Sequence, residues 1–151
     1  MNLVVVGINH LSAPVEEREK LAFSAGEIPE ALKKLVSLPG IAEAAILSTC
    51  NRVEVYAASD ASEEAGEEIR LFLATQKGLS LEEFDRFLYT YSSTDAVRHL
   101  FRVASSLDSM VIGEPQVLGQ VKDAYRLASE AGSTKQFLNK LFHRSFFAAK
   151  R

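Results

Sequence analysis

Between Ala44 and Tyr56 the chain reads A-A-I-L-S-T-C-N-R-V-E-V-Y, two short runs of strand-forming residues on either side of a small polar turn. Runs so short and so close, Ala45 to Leu47 and Val53 to Tyr56, pair as a hairpin. The only cysteine, Cys50, falls in the turn, beside Thr49, Asn51 and Arg52. A structural cysteine normally sits inside an apolar run and behaves as a small inert hydrophobe. A polar turn with a cation two residues away favours the thiolate, the form that attacks carbonyl carbon. The residues alone leave both readings open, packing residue or nucleophile.

The remaining punctuation builds a fold around this hairpin. Leu3 to Ile8 is a compact apolar run that predicts a buried first strand. Ser12-Ala13-Pro14 with Glu16, Glu17 and Glu19 predicts a short helix to about Ala22. Ser24 and Glu27 have capping-box spacing before the stripe Ile28, Leu32, Leu35, Val36, which Pro39-Gly40 stops. After the hairpin, a helix from Ser59-Asp60 turns Ala65, Ile69, Phe72 and Leu73 inward, its early glutamates forming a solvated face, and Gly78 ends it. Phe87 to Tyr91 reads as the fourth strand. Strand, helix, strand, strand, helix, strand predicts an α+β, ferredoxin-like βαββαβ antiparallel sheet, with two helices on one face and additional helices at the C-terminal end. Those are a helix from Ser93-Thr94-Asp95 with Val97, Leu100, Phe101 and Ala104 inward, one from Gly113-Glu114-Pro115 with Leu118, Val121, Tyr125 and Ala128 inward, and one capped by Ser133 and Gln136. The last has no stop signal, which suggests that the natural polypeptide continues.

Composition narrows the class. At 151 residues, 47% hydrophobic and 25% charged, the chain fits one globular domain over 1–151. A net charge of -3 does not recruit a polyanion in bulk, so any nucleic-acid contact has to come from a local patch. One cysteine rules out an internal disulfide and any multi-thiolate metal site. No signal peptide and no membrane span is visible, and a reducing cytoplasm is expected.

Three groups of residues could carry chemistry. Arg52 suits a carboxylate, which a guanidinium fork binds bidentately, or it is a surface arginine paired with Glu54 or solvent. Among the histidines, the expected topology separates the candidates. In a ferredoxin-like sheet the first strand and the second hairpin strand are expected to run parallel, which puts His10 away from the hairpin tip. The fourth strand then runs back towards that tip, and the helix bearing His99 begins there. His99 sits at the edge of its apolar stripe beside Val103, as a structural residue or an acid–base group; His143 belongs to the polar side of the last helix. Gln116 and Gln120, four apart on one helix, point the same way, with Glu114 at its entry, as substrate ligands or as caps. Lys135, Lys140, Arg144, Lys150 and Arg151 form a segment without acids, read as a solvated face with phosphate contact as the alternative.

The runs S-T-C-N-R-V-E at 48–54, G-I-N-H at 7–10 and G-E-P-Q-V-L-G-Q-V-K at 113–122 resemble glutamyl-tRNA reductase, in that family's order. The resemblance implies the N-terminal catalytic domain of an NADPH-dependent oxidoreductase. That enzyme reduces glutamyl-tRNA(Glu) to glutamate-1-semialdehyde through a cysteinyl thioester, the first step of five-carbon tetrapyrrole (porphyrin, heme) biosynthesis. It implies Cys50 as nucleophile and His99 as an activity-related histidine whose role, polarising the carbonyl or moving a proton, stays open. It further implies Thr49, Asn51, Arg52, Ser109, Glu114, Pro115, Gln116 and Gln120 as substrate contacts. No G-x-G-x-x-G follows any predicted strand, so the dinucleotide site has no visible basis in these residues, and the resemblance implies NADPH-binding and dimerisation domains outside this chain. A homodimer and glutamate-1-semialdehyde aminomutase are the implied partners. The rivals are a ferredoxin-like amino-acid- or RNA-binding module with an incidental cysteine, and a stand-alone cysteine hydrolase or acyltransferase.

Overall fold

The structure, a computed structural model, describes residues 1–107 and 116–150. The run Leu3 to Ile8 lies in strand β1 (Asn2–Asn9), buried along its length except at Asn2. A strand with apolar residues on both sides has to be covered on both faces. It pairs on one side with β3 (Arg52–Ser59) and on the other with β4 (Tyr89–Ser92); β2 (Glu43–Ser48) closes the hairpin with β3, in the order β2-β3-β1-β4, every pairing antiparallel.

The register overturns the expected route to the histidines. Asn9 pairs with Arg52 and Asn2 with Ser59, so β1 ends beside the hairpin tip and His10 follows there. A crossover that returns β2 parallel to β1 leaves room between them only for a strand antiparallel to both, and β3 is that strand. Strand β4 starts opposite Gly7 and ends opposite Val4, running away from the tip. The helix bearing His99, α5 (Ser93–Ala104), therefore begins at the far end and runs back.

Helices α1 (Val15–Leu21) and α2 (Ile28–Val36) link β1 to β2, and α3 (Ser62–Gln76), α4 (Leu81–Phe84) and a 3-10 turn at Asp85–Phe87 link β3 to β4. Helix α3 packs over Val4 and Thr90. The opposite face carries α5, α6 (Gln116–Glu130) and α7 (Gln136–Ala149), with Phe142 of α7 set edge-on against Tyr56 at 5.7 Å. The sheet is thus covered on both faces, by C-terminal helices as much as by the crossover helices.

Several local expectations shift. Helix α5 buries Leu100 and Ala104 as expected, but also Ala96, His99 and Val103, which rotates its inner face and puts His99 within it, while Val97 and Phe101 are half-buried. Helix α6 buries Val117, Val121, Ala124 and Ala128 in place of Leu118 and Tyr125. The capping box before α7 is not formed. Glu43, buried on β2, accepts from the backbone N–H groups of Lys135 at 2.6 Å and Leu138 at 3.0 Å, and so satisfies that helix start from the sheet beneath it. The Ser133 hydroxyl instead donates to the carbonyl of Ala44 at 2.7 Å. The Ser24 N–H does donate to Glu27 Oε2 at 2.8 Å. Gly78 and Gly132 end their helices at φ of 66° and 74°.

Gly7 is set by close approach. A Cβ there would stand 2.3 Å from the Val53 carbonyl oxygen and 2.7 Å from Cγ of Glu54. Backbone in mid-sheet yields little, so Gly7→Ala is expected to lower the unfolding free energy by about 3 kcal/mol, the upper part of the overpacking range; urea unfolding of the variant measures it.

Candidate functional site

The hairpin turn is closed by its own polar groups. The Thr49 N–H donates to the Arg52 carbonyl at 2.8 Å, and Thr49 Oγ1 accepts from the N–H groups of Asn51 and Arg52 at 3.1 and 3.2 Å. A turn tied this way presents its central residue outward, and the Cys50 side chain is exposed, with Sγ 3.8 Å from Asn51 Oδ1. Neighbouring segments brace the turn. Arg18 of α1 donates through Nε to the Cys50 carbonyl at 3.3 Å and through Nη1 to the Ala13 carbonyl at 2.7 Å, and the Phe23 N–H donates to Ser48 Oγ at 2.9 Å. Asn9 shapes the adjoining loop, its Oδ1 accepting from the N–H groups of Leu11 and Ser12. The run G-I-N-H thus serves the tip twice, through the space at Gly7 and the turn at Asn9.

Below the tip lies a buried polar cluster. Arg52, Glu54 and Tyr56 alternate along β3 and so share one face. Arg52 is 3% exposed, which removes the surface-arginine reading while keeping the pairing with Glu54: its Nη1 donates to Glu54 Oε2 at 3.4 Å. Glu54 has no exposed surface, and also accepts from Tyr56 at 2.6 Å, from Tyr89 at 2.5 Å and from Nε2 of His99 at 2.5 Å. The His99 ring stacks on Tyr91 at 4.6 Å and meets Tyr89 edge-on at 5.8 Å. Burial opposes the charge on Glu54, but the hydrogen bond and charge of His99, the Arg52 guanidinium and the Tyr56 hydroxyl together outweigh it, and its pKa is lowered to about 2. Burial first, then the Glu54 carboxylate, push the Tyr89 phenol far up, so it stays a donor. An ionised carboxylate only accepts, hence Nε2 of His99 carries the proton in that bond.

Of the residues singled out from sequence, Thr49, Cys50, Asn51 and Arg52 meet at the tip, and His99 joins them through Glu54. Gln116, exposed, and Gln120, half-buried, stand on α6 as expected. Gln120 lines a cleft of about 160 Å³ together with Phe23, Ile28, Leu47 and Ser48, next to the turn. Ser109, Glu114 and Pro115 lie outside the described residues. His143 is exposed on α7, its Nε2 3.2 Å from the Tyr125 hydroxyl. Sequence reading missed Arg18, Glu54, Tyr56, Tyr89 and Tyr91. The available signal was the polar triple Arg52, Glu54, Tyr56 on alternate positions of an otherwise apolar strand.

A family model described as glutamyl-tRNA(Glu) reductase, N-terminal domain, matches residues 6–151. The chain belongs to that family. The glutamyl-tRNA reductases of Pelobacter propionicus and Thermodesulfovibrio yellowstonii are each 50% identical to it, over 100% of this chain and 35% and 37% of their own lengths. The solved glutamyl-tRNA reductase from Methanopyrus kandleri matches with a TM-score of 0.79 and 38% identity, over 99% of this chain and 33% of that one. The chain thus spans about a third of the length of these glutamyl-tRNA reductases. Among the described residues no group of acidic, histidine or cysteine side chains is placed to hold a metal ion, and no helix is long and apolar enough to cross a membrane.

Proposed function

We propose that this domain performs the thioester-forming part of glutamyl-tRNA reductase chemistry, with Cys50 as the nucleophile. The observation that carries the reading is an exposed thiol on a braced hairpin tip above a buried, hydrogen-bonded Arg52–Glu54–His99 cluster, in a chain of that family. The Cys50 sulfur attacks the ester carbonyl joining glutamate to the terminal ribose of tRNA(Glu). The carbon–oxygen bond to the ribose breaks, the ribose oxygen takes up a proton, and a glutamyl thioester remains on Sγ. Replacing the ester oxygen by sulfur makes the carbonyl more electrophilic and divides one hard step into two. His99, clamped by Glu54 and two tyrosines, is the acid–base group for the departing oxygen. Arg52 meets the substrate's side-chain carboxylate, Thr49 and Asn51 line the tip, and Gln116 and Gln120 with Ser109, Glu114 and Pro115 form the second arm of the substrate site.

The whole reaction is NADPH-dependent reduction to glutamate-1-semialdehyde, in the cytoplasm, at the entry to tetrapyrrole synthesis. The described residues do not fit NADPH: none of the four strands among them leads into a G-x-G-x-x-G turn that opens a helix. No step through the cofactor is therefore given to them. The cofactor-binding and dimerisation parts, the homodimer and a hand-off to glutamate-1-semialdehyde aminomutase follow from the family resemblance. The strand order β2-β3-β1-β4 with helical crossovers supports the ferredoxin-like reading of the core. An RNA-binding module reading the sheet face is disfavoured, because stacking aromatics need an open face and both are covered.

Mass spectrometry of protein quenched during reaction with glutamyl-tRNA is expected to place one glutamyl group on the peptide containing Cys50, labile to hydroxylamine. A glutamyl group on any other residue, or none, overturns the reading.

A further inference from the structure

Charge is segregated between the two faces of the molecule. Around α3 and α4 acids predominate, and two of the cations there are neutralised, Arg70 by Asp85 at 2.6 Å and Lys77 by Glu27 at 2.8 Å. Across the sheet the balance reverses. From Ala131 to Lys150 the sequence has no acid, and Lys135, Lys140, Arg144 and Lys150 are exposed without a carboxylate partner among the described residues. Lys140, His143, Arg144 and Phe147 fall at helical spacing on one side of α7, and Phe147 is 66% exposed. On α6, Lys122 stands against Lys150; burial, then this like charge, lower its pKa. Two ammonium groups facing each other favour a shared anion.

The direction of α7 relates this stripe to the thiol. Its first turn is held by Glu43, which pairs with Ala58, and Phe142, one turn on, packs on Tyr56, two residues nearer the Arg52 end of β3. Helix α7 therefore advances towards the hairpin tip. Lys150 and Lys122 mark its near end, where Gln120 shares a cleft with Ser48.

We propose that Lys122, Lys140, Arg144 and Lys150, with Phe147 among them, form the surface that holds backbone phosphates of the tRNA acceptor arm. A duplex arm is gripped through phosphate and shape, and a line of cations aimed at the nucleophile sets the direction from which the aminoacyl end arrives. This rests on the function proposed above for its ligand, and its test does not depend on Cys50 chemistry.

Binding of uncharged tRNA(Glu) to this chain, measured by fluorescence anisotropy between about 50 and 200 mM salt, decides it. For K140A/R144A the slope of log K against log salt is expected to be shallower by about 1.5, at roughly 0.7 to 0.9 per lost phosphate contact. Affinity at the low-salt end is expected to fall at least about tenfold. The single variants K140A and R144A should each give about half the change in slope, which guards against a folding defect in the double variant. K33A/K34A on α2 should bind as the parent does. Equal slopes in parent and K140A/R144A, or equal losses in K33A/K34A, overturn the proposal. Acylation of Cys50 by a glutamate thioester without RNA should be unchanged in K140A/R144A; failure of that reaction in the parent counts against the nucleophile assignment and leaves the binding result standing.

Discussion

Deacylation of glutamyl-tRNA by the Cys50→Ser variant is expected to fall by at least about 10³-fold, with Cys50→Ala no better. A serine hydroxyl is scarcely ionised near neutral pH, and an oxygen ester formed on it is no more reactive than the one it replaces, so substitution removes both the attacking anion and the activation. Fold stability is expected to stay within about 0.5 kcal/mol, because the side chain is exposed, with Sγ set against Asn51 Oδ1. Rates are read as release of glutamate from charged tRNA, and stability from urea unfolding of the same preparations. Undiminished deacylation by Cys50→Ser would remove the thioester from the mechanism. The binding-module alternative makes a different forecast, that the parent chain has no deacylation to lose.

The hairpin, the first strand and the turn holding Cys50 were legible because each depends on local pattern: apolar runs, a polar interruption, glycines where helices stop. What the sequence did not disclose was set by pairing between distant segments. Glu54 reads as one polar residue in a strand until β1 supplies Gly7 opposite it and α5 and β4 bring His99 and Tyr89 to its oxygens. The start of α7 looked capped by its own Ser133 and Gln136, yet Glu43, 92 residues before Lys135, takes that part, a contact no window of local spacing contains. The route by which His99 was singled out was incorrect. A parallel β1–β3 pair would have put His10 away from the tip, and the antiparallel register puts it beside the tip. What links His99 to the tip is burial against Glu54, and that follows from rotation of the α5 inner face by a single residue.

The cluster under the tip makes the second large forecast, in stability and in its response to acid. Glu54→Ala leaves the Arg52 guanidinium buried beside an empty site and takes the acceptor from His99, Tyr89 and Tyr56 together, so a loss of about 3–5 kcal/mol is expected. Glu54→Gln separates charge from hydrogen bonding. Its amide oxygen can still accept on the side of His99, Tyr89 and Arg52 while its NH₂ group faces the Tyr56 oxygen, so a smaller loss is expected. The acid response tells the two effects apart. The folded-state pKa of Glu54 is about 2, below the ordinary 4.5, so its ionised form stabilises the fold fully above pH 4.5, and that stabilisation is lost as pH falls through 2. At about 1.4 kcal/mol per pKa unit the group contributes on the order of 3 kcal/mol to this limb. Urea unfolding followed by circular dichroism from pH 7 to pH 2 should show the parent losing stability below pH 4.5 more steeply than Glu54→Gln, with the two curves converging towards pH 2. Parallel curves would mean that the carboxylate is not held ionised by its neighbours, and the clamp on His99 would lose its physical basis.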